Sequence, residues 1–121
     1  MNTQLLRRIQ RQILKEPEQF QMRTWFTSWS YSTIPNCGTA ACIGGWAVSL
    51  KHGRTPRDER MAIPKGGVFE AARRAVGLTT KQAHLLFIPI NWPARFKRFH
   101  HDNPKQAVAR ISHFIKTKGE D

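Results

Sequence analysis

Short apolar stripes at helical spacing, each shut off by a proline or a glycine, constrain this chain more than any other feature. Leu5, Leu6, Ile9 and Ile13 share one face of a helix over Thr3–Lys15, and Pro17 ends it. Cys42, Ile43, Trp46, Ala47 and Leu50 predict a second helix over Thr39–Leu50, stopped by Gly53. A third runs over Val68–Val76 to Gly77, and Thr79 with Gln82 forms a capping box that opens a fourth, ending near Phe87. Pro89 and Pro93 bracket a turn around Trp92, and Pro93–His101 reads as helical. Asn103 caps a last helix with Pro104 at its first position, and Ala107, Val108, Ile111, Phe114 and Ile115 form its core stripe. Gly119–Asp121 is expected to fray.

Between these stripes lie two irregular regions. Thr24–Asn36 holds Trp25, Phe26, Trp29 and Tyr31 among serines and threonines with no helical period. It predicts an aromatic loop or a short hairpin before the second helix. Glu18–Met22 reads as a turn that returns Phe20 and Met22 to the core. Arg54–Gly67 is a basic loop punctuated by Pro56, Pro64 and two glycines. The expectation is an all-α fold: one compact domain over residues 1–121, built from five or six short helices. A chain of 121 residues can bury enough surface to fold without a disulfide or a metal.

The net charge of +12 is spread over both halves of the chain, so the folded surface itself must be positive. Solubility asks for only about 2–8 charges in a small domain, so the excess points to an anionic partner. No apolar run reaches the ~18 residues of a membrane span, and Met1–Lys15 does not read as a signal peptide. Cys37 and Cys42 lack the spacing of a zinc pair, and His100, His101 and His113 read as surface histidines, so no metal or cofactor is expected.

The most distinctive string is Cys37-Gly38-Thr39-Ala40-Ala41-Cys42-Ile43-Gly44-Gly45-Trp46-Ala47. One reading is a capping turn packed under the aromatic loop. A second is an anion site at the start of the second helix, with Gly38 allowing close approach and Thr39 beside free N–H groups. A third is a Cys37 thiolate activated by the helix dipole, although no histidine stands at a diagnostic spacing. Cys42, on the apolar face, reads as a small inert hydrophobe. Residues 68–87 partly fit a helix-turn-helix, but Arg73 stands where a small residue normally lets the helices close. Arg95-Phe96-Lys97-Arg98-Phe99 interleaves cations with rings, and Phe96 and Phe99 share a helix face that is better buried than stacked on bases.

The Cys37-Gly38-Thr39 string running into Cys42 and Ala47, after Pro17-Glu18-Gln19-Phe20-Gln21-Met22, resembles a set of small bacterial and phage proteins of unassigned function. Their pattern is C-G-T-x-x-C-x-x-G-x-A after a P-x-x-F-x-M turn. Gly77-Leu78-Thr79, Leu86-Phe87 and Trp92-Pro93 extend the resemblance over most of residues 5–115. It implies a cytoplasmic phage or bacterial accessory protein, of the kind that acts on host machinery such as defence systems.

The leading expectation is non-enzymatic binding of a phosphate-bearing ligand, either a nucleic acid or a signal nucleotide. Arg7, Arg8, Arg11, Arg54, Arg57, Lys97 and Arg98 would supply the field. Cys37, Gly38 and Thr39, with Trp25 or Trp29 for stacking, would form the pocket. The alternatives are an inhibitor or adaptor that docks residues 25–31 on an acidic host protein, and a thiol enzyme using Cys37.

Overall fold

The computed structural model describes residues 1–20, 22, 26–28, 39–53, 67–96 and 103–121. It is a helical domain carrying one minimal β-ribbon. Helix α1 spans Thr3–Lys15, strand β1 Phe26–Ser28, β2 Thr39–Ala41 and α2 Ile43–His52. Helix α3 spans Val68–Val76, α4 Thr80–Phe87 and α5 Pro104–Lys116. Single 3-10 turns cover Pro17–Gln19, Pro89–Asn91 and Ala94–Phe96.

Helices α1, α3, α4 and α5 lie where the local signals put them, and α1 has a cap that was not anticipated. Asn2 caps α1 through its side-chain oxygen, which accepts from Leu5 N–H at 3.0 Å. Thr79 N–H donates to Gln82 Oε1 at 2.9 Å while Gln82 N–H donates to Thr79 Oγ1 at 3.1 Å, a complete capping box. Asn103 Oδ1 accepts from Lys105 and Gln106 N–H at 3.0 and 3.3 Å. Gly53 and Gly77 terminate α2 and α3 with φ of +68° and +73°, a region that L side chains enter only at a cost.

Helix α2 is the centre of the fold. Residues Ile43–Ser49 are all buried, and the helix packs against α1, α3 and α4. It starts later than its apolar spacing suggested. Thr39–Ala41 is not helical but pairs antiparallel with β1, in the register Phe26–Ala41, Thr27–Ala40 and Ser28–Thr39. Cys42 is the N-cap, its backbone extended and its Sγ accepting from Gly45 N–H at 3.4 Å. A capping thiol that is also buried counts as a core position under either geometry, so periodicity alone placed it inside the helix. Of the aromatic segment Thr24–Asn36, Phe26–Ser28 is a strand, but its partner is Thr39–Ala41, beyond the segment in which a hairpin was expected, and residues 29–38 lie outside the described set.

Phe20 and Met22 return to the core after the Pro17–Gln19 turn, and Phe20 bridges to Ala41. Trp46 Nε1–H donates to the Gln19 carbonyl at 3.1 Å, tying this turn to α2. Trp92 is buried between its two prolines and donates from Nε1–H to the Leu86 carbonyl at 2.8 Å. Of the expected helix over 93–101, Ala94–Phe96 forms a 3-10 turn and the rest lies outside the described residues. The same holds for the loop over 54–66.

The C-terminal tail does not fray. Lys118 and Gly119 adopt left-handed φ of +55° and +79°, and Gly119 N–H donates to the Phe114 carbonyl at 2.9 Å. Asp121 N–H donates to Thr117 Oγ1 at 3.2 Å. Fraying is the default for an unattached end, and here side chains of α5 attach it.

Candidate functional site

One face of α1 carries Arg7, Arg8, Arg11 and Lys15, all exposed. At 100° per residue they fall within an arc of about 100°, opposite the buried Leu5, Leu6, Ile9 and Ile13. Gln4 shares the arc, Thr3 lies just beyond its edge, and both line an open depression with the three arginines. The helix holds no acidic residue. Leu14 lies on the same side and is a lone exposed apolar residue.

A polar seam joins this face to α5. Gln10 is buried at 6% exposure, and its Nε2–H group donates to the Val108 carbonyl at 2.8 Å and to Ser112 Oγ at 2.7 Å. Arg7 Nη1 donates to Gln10 Oε1 at 2.9 Å and reaches Ser112 Oγ at 3.4 Å. At the far end Met1 lies against Gly119, so α1 and α5 run antiparallel. Lys105, Ala109, Ser112 and Lys116 recur along α5 on the side that meets this seam, and both lysines are exposed. The result is one basic face, with four cations along α1 and one lysine near each end of α5.

Among the described residues no carboxylate pairs with the cations of that face. Among the described residues Glu70 pairs with Arg73 at 2.9 Å and Arg74 at 3.7 Å, and Asp121 pairs with His113 at 2.9 Å. No described ion pair engages Arg8, Arg11, Lys15, Lys105 or Lys116. Lys15 and Lys116 lie in the last turns of their helices, where the dipole favours positive charge.

The helix start expected to back a pocket at Cys37, Gly38 and Thr39 lies further along the chain. Thr39 opens β2 opposite Ser28, and the start of α2 is at Ile43. The dipole and the free N–H groups therefore serve Cys42. There Ile43, Gly44 and Gly45 are buried, which leaves no exposed anion cradle. Burial pushes the Cys42 thiol up to about 11, against smaller opposing hydrogen bonds from Gly45 and Gly44, so it stays protonated and inert as expected. Cys37, Gly38, Trp25, Trp29, Arg54, Arg57, Lys97 and Arg98 lie outside the described residues. Of the expected ligand residues, Arg7, Arg8 and Arg11 are brought together.

A second charged cluster was not foreseen. Arg110 has no exposed surface. Its Nη2 donates to the Leu85 carbonyl at 2.9 Å and its Nη1 to the backbone oxygen of Asp121. The guanidinium lies 5.8 Å from the Phe96 ring centre and 5.6 Å from that of Phe114. Burial lowers its pKa to about 10, which leaves it charged at neutral pH. Arg95 Nη2 lies 2.6 Å from His113 Nδ1, and His113 Nε2 lies 2.9 Å from Asp121 Oδ2. These contacts anchor the tail. Arg110 sits on the apolar stripe, three residues after Ala107 and four before Phe114, and that position is the signal that could have marked it.

In the helix-turn-helix region Arg73 folds back, donating to Glu70 and, at 2.9 Å, to the Leu78 carbonyl. It thereby closes the end of its own helix. Helix α4 buries Ala83, Leu86 and Phe87. Among the described residues no cluster of His, Cys, Asp or Glu could hold a metal ion, and no helix is long and apolar enough to cross a membrane. No protein-family model, curated protein or solved structure matches the chain.

Proposed function

We propose that this protein binds nucleic acid, without chemistry of its own, through the basic face of α1 and α5. The observation that carries the reading is the α1 row of Arg8, Arg11 and Lys15, with Arg7 at the seam. These four exposed cations share one helix face with no carboxylate among them. Such a row concentrates positive potential where phosphates can reach it, and binding would release the counterions held by the polymer. The face is open and broad, which suits a polymer better than a single nucleotide that needs enclosure on several sides. Taken with the resemblance to small phage and bacterial proteins, the reading extends to a cytoplasmic accessory protein that occupies nucleic acid used by host machinery, defence systems included.

The test is a fluorescence titration of labelled DNA and RNA at several salt concentrations, with mono- and cyclic nucleotides as competitors. Binding to polymers with log K falling steeply against log[salt], with a slope of about −4.5 to −5.5 on duplex DNA for five or six phosphates, is the expected result. Tight binding of a small nucleotide with no affinity for polymers would move the function to a pocket. Binding to neither would assign the charge to an acidic protein partner.

A further inference from the structure

The two cation rows differ from what a single phosphate chain would need. The α1 row runs from Arg7 to Lys15, about 12 Å along the helix at 1.5 Å per residue. The α5 row consists of Lys105 and Lys116, one near each end of the helix, and the Gln10–Ser112 seam holds it beside the first. Packed helices stand about 8–10 Å apart, so the rows are separated by roughly that distance plus the reach of their side chains. One strand of nucleic acid presents one line of phosphates and could satisfy one row. Two lines at such a spacing are found where two strands flank a groove, about 6 Å wide on the minor side and about 12 Å on the major side of B-form DNA.

The shape of the face adds a second constraint. Two helices side by side make a surface about 20 Å across, too wide to enter a major groove of about 12 Å. The side chains can then meet phosphates but not base edges. Single-strand binders rely on aromatic platforms for stacking. Helix α1 contains no Phe, Trp or Tyr, and the one such residue on α5, Phe114, has no exposed surface.

We infer that the partner is a duplex, held through phosphates of both strands by the α1 and α5 rows together and bound without regard to base sequence. This rests on the nucleic-acid reading above and narrows it. Lys105 and Lys116 become contact residues equal in kind to Arg8 and Arg11, and Gln10 and Ser112 become positioning residues that set the distance between the rows.

The experiment uses the full chain, two duplexes of about 20 base pairs with unrelated sequences, and each of their separated strands, at equal phosphate concentration. The proteins are the wild type, Arg8→Gln/Arg11→Gln and Lys105→Gln/Lys116→Gln. All four positions are exposed, and unchanged melting temperatures confirm that the variants fold. The expected result is at least tenfold tighter binding to both duplexes than to any single strand, with the two duplexes within about twofold of each other. Each double variant should lower the salt slope by about 2, one per lost phosphate contact. Single strands that bind as tightly as duplexes, with a loss in the α1 variant and none in the α5 variant, would overturn the duplex assignment and leave the nucleic-acid reading standing. A more than tenfold difference between the two duplexes would overturn the claim of sequence independence. Failure of duplexes and single strands alike to bind would sink both readings.

Discussion

Gln10 of α1 donates to Ser112 of α5 at 2.7 Å across 102 positions of sequence, and the same amide group donates to the Val108 carbonyl at 2.8 Å. This buried amide fixes how the two outer helices sit against each other. Gln10→Ala would leave a small cavity and remove three polar contacts at once. The expected cost is about 1–3 kcal/mol, read as a lower urea midpoint at unchanged slope. Ser112→Ala, in a half-buried position, should cost less, about 1 kcal/mol. Equal stability of Gln10→Ala and the wild type would contradict this role.

Arg110 anchors the tail from inside the core. Replacing it with Ala removes the donor to the Leu85 carbonyl and the Asp121 backbone oxygen, and the contacts to Phe96 and Phe114. The expected loss is about 3 kcal/mol. Arg110→Met keeps the apolar stem, so it should cost less, yet it should raise amide exchange over residues 117–121 as much as the alanine variant does. Retained protection of those amides in the methionine variant would show that the tail holds without the guanidinium.

Gly119 and Gly53 offer a paired comparison. Both have positive φ, +79° and +68°. A Cβ on Gly119 would stand 2.5 Å from Gln82 Nε2, whereas one on Gly53 would meet nothing within 4 Å. Gly53→Ala should cost only the backbone strain of about 1–2 kcal/mol. Gly119→Ala should cost more, because it also disturbs the Gln82 side chain that caps Thr79. Thermal melts of the two variants decide it, and equal losses would mean that Gln82 moves aside freely.

The acid limb of stability has a defined sign. The hydrogen bond from His113, then the nearby charges of His113, Arg110 and Arg95, hold the Asp121 carboxyl below its ordinary 3.8. Glu70 is likewise held below 4.5 by Arg73 first. A carboxyl that binds its proton less tightly when folded adds stability above its unfolded value and loses it as pH falls through the folded value. Melting temperatures of the wild type should therefore drop below about pH 4, and Asp121→Asn should show a shallower drop. Parallel curves for the two proteins would remove Asp121 from the account.

Cys42 should resist alkylation at pH 8 in the folded protein and react once denaturant is added, since burial holds its thiol at about 11. Peptide mapping after iodoacetamide reads this directly, and rapid labelling of Cys42 under native conditions would contradict its burial.

What could be read from the amino-acid order depended on how local the cause was. The Thr79–Gln82 box, the Asn103–Pro104 start and the Gly77 stop act within a few residues, and each helix edge they imply is where it was expected. Cys42 misled because a buried cap and a buried helical position give the same apolar pattern. The ordered tail depends on Arg110 meeting Phe96, Leu85 and Asp121 from separate segments, and no local spacing encodes that. The basic face was half legible. Arg7, Arg8 and Arg11 follow from one helical wheel, but Lys105 and Lys116 join them only through the packing of α1 on α5, a pairing that periodicity cannot specify.

The most direct measurement is the salt dependence of nucleic-acid affinity for Arg8→Gln/Arg11→Gln/Lys15→Gln, which spares Arg7 because its guanidinium also holds the seam. Each neutralised phosphate contact should reduce the slope of log K against log[salt] by about 1. The account predicts a slope lower by about 3 and much weaker binding at an unchanged melting temperature. A variant that keeps the wild-type slope and affinity would show that the α1 face is not where the anion binds.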